Sequence, residues 1–181
     1  FFSDITTPDY KIVSLYGKNK KLSLKDLDGI DIILFDIQDI GSRYYTYIST
    51  LTYVMEAAAD FNIPLIVLDR PNPLGRKIDG PILDIKYSSF VGMHPIPIRH
   101  GMTIGELALM INEEEWLESK KRANLEIVKL ENWDTHPGYF SISPSPNIAN
   151  FSTALIYNGM CLFEGTNISE GRGTKTPFLF K

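Results

Sequence analysis

The sequence predicts an α/β fold with a mostly parallel sheet flanked by helices, on three observations. Two short and nearly continuous apolar runs, Ile30 to Phe35 and Leu65 to Leu68, have the length and composition of strands in a buried parallel sheet. Between them, from Tyr47 to Phe61, the apolar period becomes helical. Tyr47, Ile48, Leu51, Val54, Met55 and Ala58 share one stripe, and Ser49, Thr52, Glu56 and Asp60 fall mostly away from it. Each run also ends in charge, Asp36 after the first and Asp69 with Arg70 after the second. Strand, helix and strand of these lengths make a right-handed crossover, so both polar ends are expected on one edge of the sheet. That edge is the first place to look for a site.

The bulk properties bound the answer. A chain of 181 residues, 44 % hydrophobic, can bury a core as one domain. A formal charge of -4 and a pI near 5.4 give no support to nucleic acid or an acidic membrane surface as partner. No apolar run reaches membrane-spanning length. The single cysteine, Cys161, excludes an internal disulfide, and its apolar neighbours predict a buried thiol. Three scattered histidines give no metal-ligand spacing, so no structural zinc is expected. The chain starts FFSD and ends TPFLFK, and apolar residues at both ends give the expectation of an incomplete piece of something longer.

Before the first apolar run, Ile12 to Tyr16 reads as a strand closed by Gly17, and Lys18 to Lys21 as a basic, solvated turn. Ser23 can cap a helical turn carrying Leu24 and Leu27. After the Leu65 to Leu68 strand, PNPLGRKIDGP reads as a long ordered loop, and Ile82 to Val91 is weakly patterned. Pro95 and Pro97, alternating with Ile96 and Ile98, favour an extended segment that is no central strand. Thr103 and Glu106 form a capping box, and the helix it opens carries Ile104, Leu107, Ala108 and Ile111 on one stripe, with Glu113 to Glu115 in solvent. Leu125 to Leu130 is a further strand candidate. Asn132 to Pro146, with Trp133, His136 and Tyr139, is loop-like; Phe151 to Tyr157 reads as a short helix and Met160 to Phe163 as a short buried segment.

Four constellations carry possible chemistry. Asp36, Gln38, Asp39 and Arg43 lie within eight residues after the first apolar run, just before Tyr44 and Tyr45. Charged groups at a strand's carboxyl end can be aimed into the sheet crevice, or can neutralise one another in a turn with no ligand. Asp69, Arg70 and Asn72 come after the second run, with two prolines fixing the backbone around Asn72; an arginine fork there suits a carboxylate. His100 precedes the capped helix, near backbone N–H groups that favour an anion or a neutral imidazole. Glu164, Asn167, Glu170 and Arg172 are bracketed by four glycines, at 159, 165, 171 and 173, which permit close backbone approach to a ligand. None of these stretches matches a phosphate-binding glycine loop or a serine nucleophile elbow. Carboxylates, amides, an imidazole, arginines and many aromatics suit a carbohydrate, either as substrate or as the ligand of a binding module without turnover.

SLYG at 14 to 17, FDIQDIGSRYYTYISTL at 35 to 51, LDRPNPLG at 68 to 75, DGP at 79 to 81, SFVGMHPIPIRHGMTIGEL at 89 to 107, SPSPN at 143 to 147 and CLFEGTNISEGRGTKTPF at 161 to 178 carry a resemblance over nearly the whole chain. In order and wording they resemble the NamZ family of bacterial exo-β-N-acetylmuramidases. The resemblance implies a Rossmann-like three-layer domain, residues 1–181 forming an N-terminal catalytic domain, with a smaller C-terminal auxiliary domain outside this chain. It implies removal of N-acetylmuramic acid from the non-reducing end of peptidoglycan fragments, a muropeptide or MurNAc-GlcNAc saccharide as partner, and the periplasm, cell envelope or exterior as location. The alternative is a non-catalytic muropeptide-binding module. The family's S-P-E-H-G block, source of an expected catalytic glutamate, does not occur in this sequence. Carried onto this chain, Glu164 is the first candidate acid/base, then Asp36, with His100 beside them. Arg43, Arg70 and Arg172 are candidates for the lactyl carboxylate of muramic acid. Gln38, Asp39, Tyr44, Asp69, Asn72, Asn167 and Glu170 complete the expected substrate-binding set. No cofactor is implied, since the dinucleotide fingerprint is absent.

Overall fold

The computed structural model describes residues 10–17, 19–138 and 143–179; Lys18, Tyr139 and the outermost residues of both ends lie outside them. Its centre is a parallel sheet of three strands, β1 (Ile33–Phe35), β2 (Leu65–Leu68) and β5 (Leu125–Val128), in the order β1-β2-β5. Ile33 pairs with Leu65 and Leu65 with Leu125, so the carboxyl ends of all three strands share an edge. Helix α1 (Tyr47–Phe61) makes the crossover from β1 to β2, as the change of period predicts. It stops at Asn62, whose left-handed backbone (φ 53°) returns its N–H to the Ala58 carbonyl, a conformation asparagine tolerates better than most residues. Helix α2 (Ile104–Glu113) carries the full capping box of Thr103 and Glu106.

Alternate strand residues Ile33, Phe35, Leu65, Val67, Leu125 and Ile127 turn to one side. There they pack with Leu51, Met55 and Ala58 of α1 and Leu107, Ala108 and Ile111 of α2 in the main core. The first run is therefore covered on one face rather than two among the described residues, and Leu34 on the other face is 60 % exposed. Two further corrections concern strand pairing. Ile12 to Tyr16 forms no strand; only Leu15 reaches the core, while Ile12 and Tyr16 face solvent. The loop after Asn72 contains β3 (Asp79–Ile82), antiparallel to β4 (Pro97–Arg99). Its Pro81 is accommodated because a two-stranded ribbon leaves each strand an unpaired side.

The polar side of α1 departs most from its pattern. Ser49, Thr52 and Glu56 are buried, because the chain from 90 to 118 folds over them. The Ser49 hydroxyl donates to the Phe90 carbonyl (2.6 Å), the Thr52 hydroxyl lies 2.8 Å from His94 Nε2, and Glu56 pairs with Lys21 (2.8 Å). His94 stacks on Trp116 with ring centroids 5.2 Å apart, and burial lowers its pKa to about 4.

A smaller core joins the sheet edge to the end of the chain. Ile40 packs with Ile148, Ala154, Tyr157, Cys161 and Phe178, with Tyr44 and Tyr45 against them. Helix α3 (Phe151–Met160), capped by the Asn150 side chain, and the tight turn Cys161–Gly165 supply the far side. Burial pushes the Cys161 thiol up to about 12, which makes it a packing group at neutral pH.

Two outcomes test this packing. Gly41 has φ +80°, and a Cβ there would meet Asn72 Oδ1 at 2.2 Å. Gly41→Ala is expected to lose more than about 1 kcal/mol in urea unfolding, and an unchanged midpoint would contradict the close approach. For His94 the unfolded ring takes its proton near 6.5 and the folded ring only near 4. The unfolded state thus gains the proton first, so stability falls as pH drops from about 6.5 towards about 4 and levels below that. His94→Gln should flatten this limb by up to about 3 kcal/mol, read as the difference between the two pH–stability curves.

Candidate active site

A cavity of about 900 Å³ opens where the loop after β1 meets the C-terminal segment. One wall is the start of α1 and the residues before it, with Tyr44, Tyr45, Tyr47 and Thr50. Tyr157, Glu164, Arg172 and Phe178 also line it, with Ser145 and Asn147. Leu15, Tyr16, Lys20 and Phe90 complete the rim. The aromatic rings brace one another edge to face: Tyr45 on Tyr47 (5.0 Å), Tyr45 on Tyr157 (5.9 Å) and Tyr157 on Phe178 (4.9 Å). Such contacts fix ring planes, which suits a surface that must present flat faces to a ligand. Burial raises the phenol pKa of Tyr44, Tyr45 and Tyr157 above the ordinary value, so all three stay protonated at neutral pH, the Tyr45 hydroxyl itself being buried.

Of the residues singled out in the sequence, Tyr44, Glu164 and Arg172 line this cavity. Glu164 sits in the Cys161–Gly165 turn, half-exposed, with its carboxylate hydrogen-bonded to the Arg172 guanidinium. Arg172 also reaches Glu170 (3.4 Å) and lies 5.2 Å over the Phe178 ring. Glu170 is held in place because its carbonyl accepts the Phe178 N–H (2.7 Å). Asn167, in the same segment, faces solvent outside the cavity lining.

The remaining candidates form the scaffold behind the tyrosine wall. Asp39 and His100 are 6 % and 2 % exposed. Asp39 Oδ2 accepts the Gly41 N–H (2.7 Å) and lies 3.6 Å from His100 Nε2. His100 Nδ1 accepts the Met102 N–H (3.3 Å), so a neutral ring carries its proton on Nε2, facing the carboxylate. Arg43 is buried and donates to the Pro81 (2.8 Å) and Ile96 (2.6 Å) carbonyls. Asn72 spans from the Met102 carbonyl to the Leu74 N–H, both at 2.9 Å. Gln38 donates to the Asp39 and Pro71 carbonyls.

Asp69 caps α2 from outside that helix. Its carboxylate accepts the Thr103 hydroxyl and the Gly105 N–H, each at 2.8 Å, where the helix N-terminus favours negative charge. Asp36 and Arg70, at adjacent strand ends, pair at 2.6 Å. The strand-end cluster is thus real, but its charges are matched internally and none of them lines the cavity.

Sequence reasoning missed Tyr45, Tyr47 and Tyr157, although the YYTY run signals the first two. It also left Lys20 in a solvated turn, whereas that residue is half-buried at the cavity rim. A second hollow of about 620 Å³ lies beyond the Tyr53–Phe90 stack, lined by His94, Trp116 and Glu56. Among the described residues no group of three His, Cys, Asp or Glu could hold a metal, and no helix is long and apolar enough to cross a membrane.

Comparison with known proteins places this geometry in a family. The chain is 50 % identical over 175 residues to a peptidoglycan beta-N-acetylmuramidase NamZ of Bacillus subtilis, covering 92 % of this chain and 41 % of that protein. Two crystal structures of DUF1343 family proteins from Bacteroides fragilis superpose with TM-scores of 0.82 and 0.81, at 46 % and 44 % identity. They cover 87 % and 91 % of this chain, and 45 % and 44 % of their own. The chain therefore spans less than half the length of the relatives it matches. A family model described as exo-beta-N-acetylmuramidase NamZ, C-terminal, matches residues 155–180. The cavity lining accordingly divides, Lys20, Tyr44, Tyr45, Ser145 and Asn147 falling before that match, and Tyr157, Glu164, Arg172 and Phe178 within it. Since the corresponding N-terminal model covers residues 3–152, the chain belongs to the NamZ family of exo-β-N-acetylmuramidases.

Proposed function

We propose that this protein is an exo-β-N-acetylmuramidase, a glycoside hydrolase releasing N-acetylmuramic acid from the non-reducing end of peptidoglycan fragments, with its sugar site in the 900 Å³ cavity. The observation that carries the reading is that Glu164 lines the same cavity as a set of tyrosines braced edge to face. A sugar ring can stack on them while a carboxylate meets its polar edge. Hydrolysis of a glycosidic bond requires proton delivery to the leaving oxygen and stabilisation or attack at the anomeric carbon, work usually shared by two carboxylates. Glu164 takes one of these roles, and Arg172 orients it through their hydrogen bond. The glutamate of the family's S-P-E-H-G block takes the other, and the distance between the two sets retention or inversion. Ser145 and Asn147 offer neutral partners for hydroxyls or the acetamido group.

A wall-derived substrate supports a location in the periplasm, cell envelope or exterior, where the protein would take part in cell-wall turnover. The family's C-terminal domain, whose model matches residues 155–180 of this chain, is the partner proposed to close the cleft.

The test is release of free N-acetylmuramic acid from a β-linked MurNAc-GlcNAc disaccharide by the full-length gene product. Glu164→Gln is expected to lower kcat about a hundred- to ten-thousand-fold with an unchanged unfolding midpoint. Turnover near wild type would remove Glu164 from the chemistry. Saturable binding of the disaccharide without release by the wild type would make the protein a binding module.

A further inference from the structure

An exo-muramidase must tell N-acetylmuramic acid from N-acetylglucosamine, and the two differ by a lactyl ether that ends in a carboxylate. A site reading that group needs a cation whose charge is not already matched. The three arginines named as candidates for that carboxylate are engaged. Arg43 is buried against the Pro81 and Ile96 carbonyls, Arg70 pairs with Asp36, and Arg172 is shared between Glu164 and Glu170. Lys20 differs from all of them. It lines the cavity half-buried, with its ammonium 3.9 Å from the centre of the Phe90 ring, and has no acidic partner among the described residues. Its neighbour Lys21 points to the other side, where Glu56 (2.8 Å) and Glu118 (3.0 Å) neutralise it.

Resting on the function proposed above, we propose that Lys20 binds the lactyl carboxylate of the terminal N-acetylmuramic acid and thereby sets the specificity of the site. The Phe90 ring holds the lysine stem and steadies the cation by its π face. The incoming carboxylate supplies the counter-charge that the protein withholds, in a partly enclosed cavity where the pair is less screened than in open water. The contact is made equally before and during reaction, because the lactyl group lies away from the bond being cleaved. Its loss should therefore appear in KM more than in kcat.

The experiment uses the full-length protein and two aryl β-glycosides, one of N-acetylmuramic acid and one whose lactyl carboxylate is converted to the methylamide. Wild type is expected to prefer the carboxylate by about tenfold in kcat/KM. Lys20→Met keeps the apolar stem on Phe90 and removes the charge. It should bring the ratio close to one, mainly through KM, while Lys20→Arg restores most of it. A Lys20→Met protein with the wild-type ratio, or a wild type indifferent to the carboxylate, overturns the assignment while hydrolysis itself stands. Should wild type cleave neither glycoside, the hydrolase reading falls. Calorimetric titration with free N-acetylmuramic acid then decides: binding weakened about tenfold by Lys20→Met supports the contact, and equal or undetectable binding overturns it.

Discussion

The site depends on one constraint: the residues between β1 and α1 pass through the interior, so the polar groups on that path draw what partners they have from inside the protein, and Asp39 Oδ1, the Ser42 hydroxyl and Arg43 Nε have none among the described residues. Ile40 and Ser42 are fully buried, and Asp39 and Arg43 nearly so. The path holds because Asp39 turns back onto the Gly41 N–H, His100 faces Asp39, and the Arg43 side chain caps two carbonyls of the ribbon region. Gly41 lets Asn72 approach, and Asn72 in turn ties the loop after β2 to the entrance of α2. Losing any of these contacts would leave a further buried polar group without a partner, so the network supports the cavity tyrosines that come next in the chain.

The tyrosines then serve packing and, in the proposed reading, recognition. Tyr45 closes the smaller core through Tyr157 and, with Tyr47, lines the cavity. The segment carrying Glu164 and Arg172 is anchored by the same contacts, since Phe178 packs on Tyr157 while its N–H holds the Glu170 carbonyl. Carboxylates consequently divide by depth. Asp39 and Asp69 are consumed in fixing backbone, whereas Glu164 stays half-exposed at the cavity wall, where its proposed acid/base role needs it.

The frame of the fold was legible in the sequence because it is written in short-range periodicity. The runs before Asp36 and Asp69, the stripe of α1 and the Thr103 capping box each need only a dozen residues to be read. The hidden part is set by distant pairing. Ser49, Thr52 and Glu56 look like a solvent face until Phe90, His94 and Glu118, 41 to 62 residues away in the chain, cover them. The same holds for Lys20, which reads as a solvated charge until Phe90 draws it to the cavity. Asp36, Asp69 and Arg70 were legible as a cluster at the sheet edge, and His100 as a group before the capped helix. Their internal matching was not, because nothing in the order of residues distinguishes a charge aimed at a ligand from one aimed at a helix N-terminus or a neighbouring strand end.

The most direct measurement of the central claim, that this cavity is the sugar site, is a crystal structure of the full-length protein with N-acetylmuramic acid bound. The account predicts the sugar ring against Tyr44, Tyr45 or Tyr157, with its polar edge within hydrogen-bond reach of Glu164. A sugar seated instead in the hollow beside His94 and Trp116, or over the Asp36–Arg70 pair, would contradict it.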